Sequence, residues 1–338
     1  MTKSYTKAQI RNITRHFGLI PLKSSLVSSL YRKNAVIQVR AKKGTYALKP
    51  FSRTKMIRSN TIQQMEQAAS MVRLLKKRKY RYMPAWLPTH SGKLWTLYQG
   101  TPFYVSQWIK GRRLENAEDF EKLGRALAAL HDTPASLHRI GRRKSPTFQQ
   151  LRIWKNQDRL FQKRIKQISG HDTKYRNWYN AFGKGCKRLS RQAWKDLQDA
   201  SITRMLQKEK RLPSLIHSDI TIPNVIISNN GQLKIIDWDR VKVGSVYADL
   251  AKALMNTTQF NPEFVQSLLK GYQKRKPLNR TERKIVTALY KLPREAWHAS
   301  RHPIRSRDRE ILDNWGHSWP LRLQIIHILQ EWSMHKRK

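Results

Sequence analysis

Acidic residues are what this chain most conspicuously lacks. It has 22 Asp plus Glu against 68 Lys plus Arg in 338 residues, a formal balance of +46. That argues against an acidic pocket for a polycationic ligand. It predicts attraction to polyanions without choosing among nucleic acid, anionic lipid and acidic protein. The basic residues run along the whole chain, with modest clusters at 76–82 (KKRKYRY) and 141–144 (GRRK). They are not gathered on one element, so specific nucleic-acid recognition is not expected. A single cysteine, Cys186, allows no internal disulfide and no zinc finger, favours a reducing compartment, and reads as a small packing residue. No run of about 18 apolar residues exists, so no membrane span is expected. The opening stretch, MTKSYTKAQIRNITRHFGLIPLK, has no apolar core and no small-residue cleavage site, so no secretory leader is expected. Its lack of acids resembles a transit peptide, but the rest of the chain shares that lack. There is no internal repeat and no long low-complexity segment.

A hydrophobic content of 39% suits a folded protein of one large or two linked domains. AVIQVRA (35–41) and TYALKPF (45–51) read as a hairpin across a KKG turn, and LWTLYQG (94–100) with PFYVSQWI (102–109) as another strand pair. Between them the period becomes helical from Ser59 to about Lys77, with Ile62, Met65, Ala69 and Val72 on one face. After KGRR the chain turns helical. AEDFEKLGRALAALH (117–131) carries a Phe120, Leu123, Leu127, Leu130 stripe, and 148–210 reads as several basic helices whose aromatics are core. PSLIH, VIIS and LKIID are three short apolar runs, the last two joined by the turn NNGQ. The pattern is helical again from Asp249, with an irregular loop expected at 299–320. His298, His302 and His317 there lack a convincing ligand spacing. The expectation is an α+β chain: a small sheet-containing lobe over 1–107 and a larger, mainly helical lobe over 108–338, with a loop and hairpin at 214–249.

The chemistry concentrates in HSDITIPNVIISNNGQLKIIDWD, His217 to Asp239. His217, Asp219 and Asn224 form H-x-D-x-x-x-x-N, and Asp237 follows Asn224 by 13 residues at the end of a strand–turn–strand. These are the parts phosphoryl transfer needs. Magnesium wants hard oxygen ligands, which Asn224 and Asp237 supply from adjacent loops, and Asp219 can align an acceptor hydroxyl and take its proton. Such a site also needs a cation on the α/β phosphates, offered from a strand and held by a helix glutamate. Lys49 sits late in the second strand of the first hairpin. Glu66, the only acidic residue in the first 114 positions, is expected to point inward with Ile62 and Ala69 as its partner.

IHSDITIPNVII and LKIIDWDRVKVGSVYADLAKAL resemble the core of the aminoglycoside phosphotransferases and choline/homoserine kinases, which have a bilobal protein-kinase-like fold. GTYALKP, FYVSQWIKGRRL, LAALHDT and KLPREAWH are most similar to the spore coat protein S (CotS) family. The resemblance covers roughly 35–300. It implies Asp219 as catalytic aspartate, Asn224 and Asp237 as catalytic metal ligands, and Lys49 and Glu66 as the nucleotide-binding pair. His217 would brace the loop, Asp249 would cap a helix beneath it, and Asp239 would be either a supporting acid or an extra ligand. It implies ATP and Mg²⁺ as cofactors, adenine against the backbone of Tyr104 to Trp108, and nucleotide held between the lobes. A small-molecule acceptor, acidic spore coat partners, synthesis in the mother-cell cytoplasm and deposition in the coat follow from it too. One feature departs from the pattern: 20–36, where a glycine-rich loop would lie, has no glycine. Two readings therefore stay open, an active small-molecule kinase and an inactive kinase-fold component of the coat that holds acidic partners by charge.

Overall fold

The computed structural model describes residues 5–29, 32–51, 61–134, 146–168, 173–299, 313–314 and 316–335. The GRRK cluster, His302 and most of the expected 299–320 loop lie outside them. In chain order the elements begin α1 (Lys7–Arg15), β1 (Pro21–Ser29), β2 (Arg32–Ala41), β3 (Gly44–Pro50), α2 (Thr61–Lys77), β4 (Thr96–Tyr98), β5 (Thr101–Gln107) and β6 (Gly111–Arg112). They continue with α3 (Ala117–His131), α4 (Pro146–Ile168), α5 (Thr173–Trp178), a π turn (Tyr179–Gly183), α6 (Lys184–Leu197), α7 (Ala200–Arg211) and β7 (Ser214–Ile216). Last come β8 (Val225–Ser228), β9 (Leu233–Ile235), β10 (Lys242–Gly244), α8 (Val246–Thr257), α9 (Pro262–Arg275), α10 (Arg280–Lys291), α11 (Arg294–Ala299) and α12 (Trp319–Met334). This is the expected α+β, kinase-like arrangement, an antiparallel sheet first and a mainly helical remainder.

Two compact units emerge: Met1–Glu115 with His217–Lys242, and Asn116–Ile216 with Val243–Lys338. In the first, β1 to β5 form an antiparallel sheet in the order β1-β2-β3-β5-β4. Within the glycine-free stretch at 20–36, residues 21–29 and 32–36 belong to this sheet as β1 and the start of β2. The turn into β3 needs Gly44, whose φ of 138° is open to glycine and costly for other residues. Strand alternation buries Ile37, Val39, Leu48, Phe103 and Val105 on one face. That face is covered by α1, which the sequence reading did not find. A Thr6–Gln9 capping box starts α1 and presents Ile10 and Ile13 to the sheet.

The hairpin β8–β9 joins this unit through its own hydrogen bonds, so the grouping is not the sequential one expected. β6 pairs with β8, with Gly111 opposite Ser228. A Cβ on Gly111 would come within 2.0 Å of the Ile227 carbonyl oxygen, so only glycine permits the approach. Ile235 N–H donates to the Tyr82 carbonyl at 2.7 Å, and Trp238 packs edge-on to Tyr80.

In the second unit α3 and α9 pack at close range, because a Cβ on Gly124 would meet the Leu268 carbonyl oxygen at 2.1 Å. His131 of α3 bridges Asp249 of α8 (3.2 Å) and the Tyr272 hydroxyl of α9 (2.8 Å), all buried. This corrects the capping role expected of Asp249: Ser245 caps α8, and Asp249, a turn inside it, serves as an inter-helix fastener. Glu209 of α7 is a second fastener. It accepts hydrogen bonds from the Thr147 hydroxyl (2.9 Å) and the Val246 N–H (2.8 Å).

Burial pushes the Glu209 carboxyl up to about 7 in spite of those bonds. A carboxyl raised in the folded state contributes stability that is complete below its unfolded value. That stability is lost as pH rises through the folded one, at no more than about 1.4 kcal/mol per pH unit. Urea titrations from pH 4.5 to 8 should therefore show wild type losing stability relative to Glu209→Gln mainly between about pH 4.5 and 7, with the loss levelling off above that. A pH-independent difference would show that Glu209 folds already ionised.

Candidate active site

The site residues lie in the first unit. The antiparallel register places Lys49 of β3 opposite Tyr104 of β5. Lys49 Nζ is ion-paired and hydrogen-bonded to Oδ1 of Asp237, 188 residues away in sequence. Both side chains are recessed yet reachable, 16% and 27% exposed. Burial opposes ionisation of Asp237, but the Lys49 ammonium outweighs it and holds the carboxyl below its ordinary range. Asp239, two residues on, is pushed up to about 7, first by burial and then by the charge of Asp237. One acid is thus held as carboxylate at neutral pH while its neighbour is about half protonated there.

Backbone and side-chain bonds tie Asp219 and Asn224 to this pair. Ile236 N–H donates to the Asn224 carbonyl at 2.9 Å, which locks the residue before Asp237 to Asn224. Asn224 Nδ2 donates to the Asp219 carbonyl at 2.9 Å, leaving Oδ1 as the side-chain atom able to ligate a metal. His217 is fully buried and edge-on to Trp238. Its Nε2 bonds the Ile236 carbonyl (3.0 Å) and its Nδ1 accepts from the Asp219 N–H (3.3 Å). Those contacts fit a neutral imidazole with its proton on Nε2, so both nitrogens are spent on bracing the loop. Of the six described non-glycine residues with left-handed backbone, two lie here, Ser218 (φ 67°) and Asp237 (φ 71°). Strain of this kind persists where surrounding bonds hold it, and here it turns both acid-bearing loops.

The structure brings together Lys49, Asp219, Asn224, Asp237 and Asp239, but it corrects the placement of Glu66. The buried face of α2 is Met65, Ala68, Ala69, Val72 and Leu75, while Ile62 and Glu66 are exposed. Position 66 follows Met65 by about 100° around the helix, which carries it off that face. The carboxylate that holds Lys49 is Asp237. The expected adenine backbone is also partly committed. The Val105 carbonyl accepts from Leu87 N–H, Gln107 N–H donates to Ala85, and Trp108 N–H donates to Thr45.

Two contributors escaped the sequence reading. Arg240 NH1 lies 3.5 Å from Asp219 Oδ2, and its carbonyl accepts from the Ser218 hydroxyl. In a chain with 68 basic residues nothing in spacing marks this one. Tyr104 had been noted for its backbone alone. Its ring stacks on Trp86 at 4.1 Å, and its buried hydroxyl, close to Asp237, makes no well-formed hydrogen bond among the described residues. Burial, then the charges of Asp239 and Asp237, push the phenol well above its ordinary range. A polar atom in an apolar run, PFYV, beside the key lysine was the available signal.

Among the described residues no group of three or more His, Cys, Asp or Glu is gathered to hold a metal. The donors here are mixed, the carboxylates of Asp237 and Asp239 and the amide oxygen of Asn224. They are hard oxygens that suit a magnesium ion keeping several waters and phosphate ligands.

Comparison with known proteins bears on the fold and the family. An aminoglycoside phosphotransferase from Alicyclobacillus acidocaldarius superposes with a TM-score of 0.82 at 12% identity, covering 99% of both chains. A spectinomycin phosphotransferase in complex with ADP and spectinomycin gives 0.68 at 17% identity, over 97% of this chain and 99% of that one. A choline kinase from Streptococcus pneumoniae gives 0.53 at 13%, over 95% and 100%. At such identities the likeness is one of fold. Residues 31–285, well over half of the chain, match the sequence profile of the phosphotransferase enzyme family. The chain belongs to the phosphotransferase enzyme family.

Proposed function

We propose that this protein is an ATP- and magnesium-dependent phosphotransferase that moves a phosphoryl group to a hydroxyl or amine of a small molecule. The observation that carries this reading is the Lys49–Asp237 pair, with Asn224 and Asp219 tied to it through backbone bonds. Lys49 would leave Asp237 for the α/β phosphates when nucleotide binds. Asn224 Oδ1 and Asp237 would hold the metal, with Asp239 as a further or supporting acid. Magnesium, when bound, neutralises charge on the phosphoryl oxygens. Asp219 would accept the proton of the acceptor hydroxyl, and its carbonyl bond to Asn224 keeps it in register with the metal ligands. Arg240 would restrain the Asp219 carboxylate until the acceptor replaces it. With Val105, Gln107 and Trp108 engaged in the sheet, backbone contacts to adenine would come from beyond Trp108. Glu66 would act, if at all, from the exposed side of α2.

A cationic aminoglycoside is a poor acceptor for a chain at +46, and a neutral or anionic one is favoured. The segments GTYALKP, FYVSQWIKGRRL, LAALHDT and KLPREAWH support the finer reading of a spore coat protein S relative that meets acidic partners in the coat. The absence of glycine from the paired strands β1 and β2 favours a second reading, in which the fold serves the coat without turnover. Among the described residues no helix is long and apolar enough to cross a membrane.

Titration calorimetry separates the two. Wild type should bind ATP with a strong dependence on magnesium. Asp237→Ala should lose that dependence, and Asp219→Asn should bind normally while turning over at least about 100-fold more slowly. No magnesium-dependent binding by wild type would refute the enzymatic reading.

A second prediction concerns Tyr104. A buried hydroxyl without a well-formed hydrogen bond costs stability, so Tyr104→Phe should leave ligand-free stability unchanged or raised by up to about 1 kcal/mol. If the hydroxyl meets the loaded site, the same variant weakens magnesium–nucleotide binding in calorimetry. A destabilised ligand-free variant would mean the hydroxyl is already satisfied.

A further inference from the structure

The exposed face of α6 carries five cations and no acid. Lys184, Lys187, Arg188, Arg191 and Lys195 are all exposed, opposite the buried Cys186, Leu189, Ser190, Ala193 and Leu197. At 3.6 residues per turn the five fall within an arc of about 100° and span about 16 Å of helix axis. Among the described residues, none of their side chains makes an ion pair or hydrogen bond. The helix's one acid, Asp196, is turned away and paired with Lys291 of α10 at 2.8 Å. Within the stripe every neighbour at i+3 or i+4 has the same sign, and like-charge neighbours oppose helix formation. The face works against its own helix unless anions are brought to it.

Its chemistry narrows those anions. The only other exposed residue on α6 from Lys184 to Lys195 is Gln192. With no apolar or aromatic side chain there, the face lacks the buried anchor that carries a protein–protein interface. It also lacks the rings on which unpaired bases stack. Trp194, the helix's one aromatic, is half-buried and donates its Nε1–H to Asp158 at 2.8 Å. What remains is a row of cations about 5–6 Å apart, suited to a chain of regularly repeated anionic groups.

We propose that the outer face of α6 is a binding surface for a linear phosphate polymer, recognised through its backbone charge alone. The inference is independent of the phosphotransferase reading, since none of these side chains belongs to the candidate active site.

The test is fluorescence anisotropy with labelled medium-chain inorganic polyphosphate at about 0.15 M salt, where long-range attraction is screened. Two variants lose the same charge. One carries Lys184→Gln, Lys187→Gln, Arg188→Gln and Arg191→Gln. The other carries Lys7→Gln, Lys43→Gln, Lys93→Gln and Lys163→Gln, at exposed and scattered positions. The α6 variant should bind at least about tenfold more weakly, with a shallower salt dependence, while the scattered variant stays within about twofold of wild type. The α6 variant should melt no lower than wild type, because repulsion has been removed. Equal losses in the two variants, no loss in the α6 variant, or no binding by wild type would overturn the proposal. Tighter α6-dependent binding of charge-matched polyglutamate or single-stranded DNA would overturn it too, in favour of an acidic protein or a nucleic acid.

Discussion

The ion pair between Lys49 and Asp237 is the constraint from which the rest of the site follows. It joins a strand near the start of the chain to a loop 188 residues on, and the sheet, the hairpin and the buried His217 act to keep its two ends in place. A lone carboxylate in a recessed position would tend to neutralise, and the ammonium prevents that. The same pairing leaves Asp239 as the acid that gives way. A metal ion arriving with nucleotide would replace the ammonium as the positive charge beside Asp237 and release Lys49 to the phosphates. On that reading the closed pair and the loaded site would be alternative partnerships of the same groups.

The scarcity of acids gives that arrangement its setting. In the second unit several are internal fasteners: Asp249 bonds His131, Asp158 bonds Ser190 and Trp194, Glu209 bonds Thr147 and the start of α8, and Asp196 holds Lys291. In the first unit they gather at Asp219, Asp237 and Asp239. Few are left to balance the surface, and α6 shows the consequence as a row of uncompensated cations. On the readings proposed above, a site for a polyphosphate nucleotide and a surface for anions would be two outcomes of one composition.

Much of the fold was legible because strand alternation and helical period are local. β2, β3, β5, α2 and α3 fall close to where pattern places them. The helix α1 was missed because its apolar residues, Ile10 and Ile13, are too few to stand out among polar neighbours. The H-x-D-x-x-x-x-N spacing and the strand before Asp237 were enough to bring Asp219, Asn224 and Asp237 together, since a hairpin turns a sequence interval into a distance. Glu66 failed for the opposite reason. Its helical phase rested on Ile62, which is exposed, and the true buried face runs through Met65 and Ala68. Arg240 and the Tyr104 hydroxyl depend on three-dimensional neighbours and leave no periodic trace.

A crystal structure with magnesium and a non-hydrolysable ATP analogue tests the central claim most directly. The account predicts a metal ion ligated by Asn224 Oδ1 and Asp237, with Lys49 Nζ transferred from Asp237 to the α/β phosphates. Nucleotide bound with Lys49 still on Asp237, or a triphosphate lying away from Asn224 and Asp237, would contradict it.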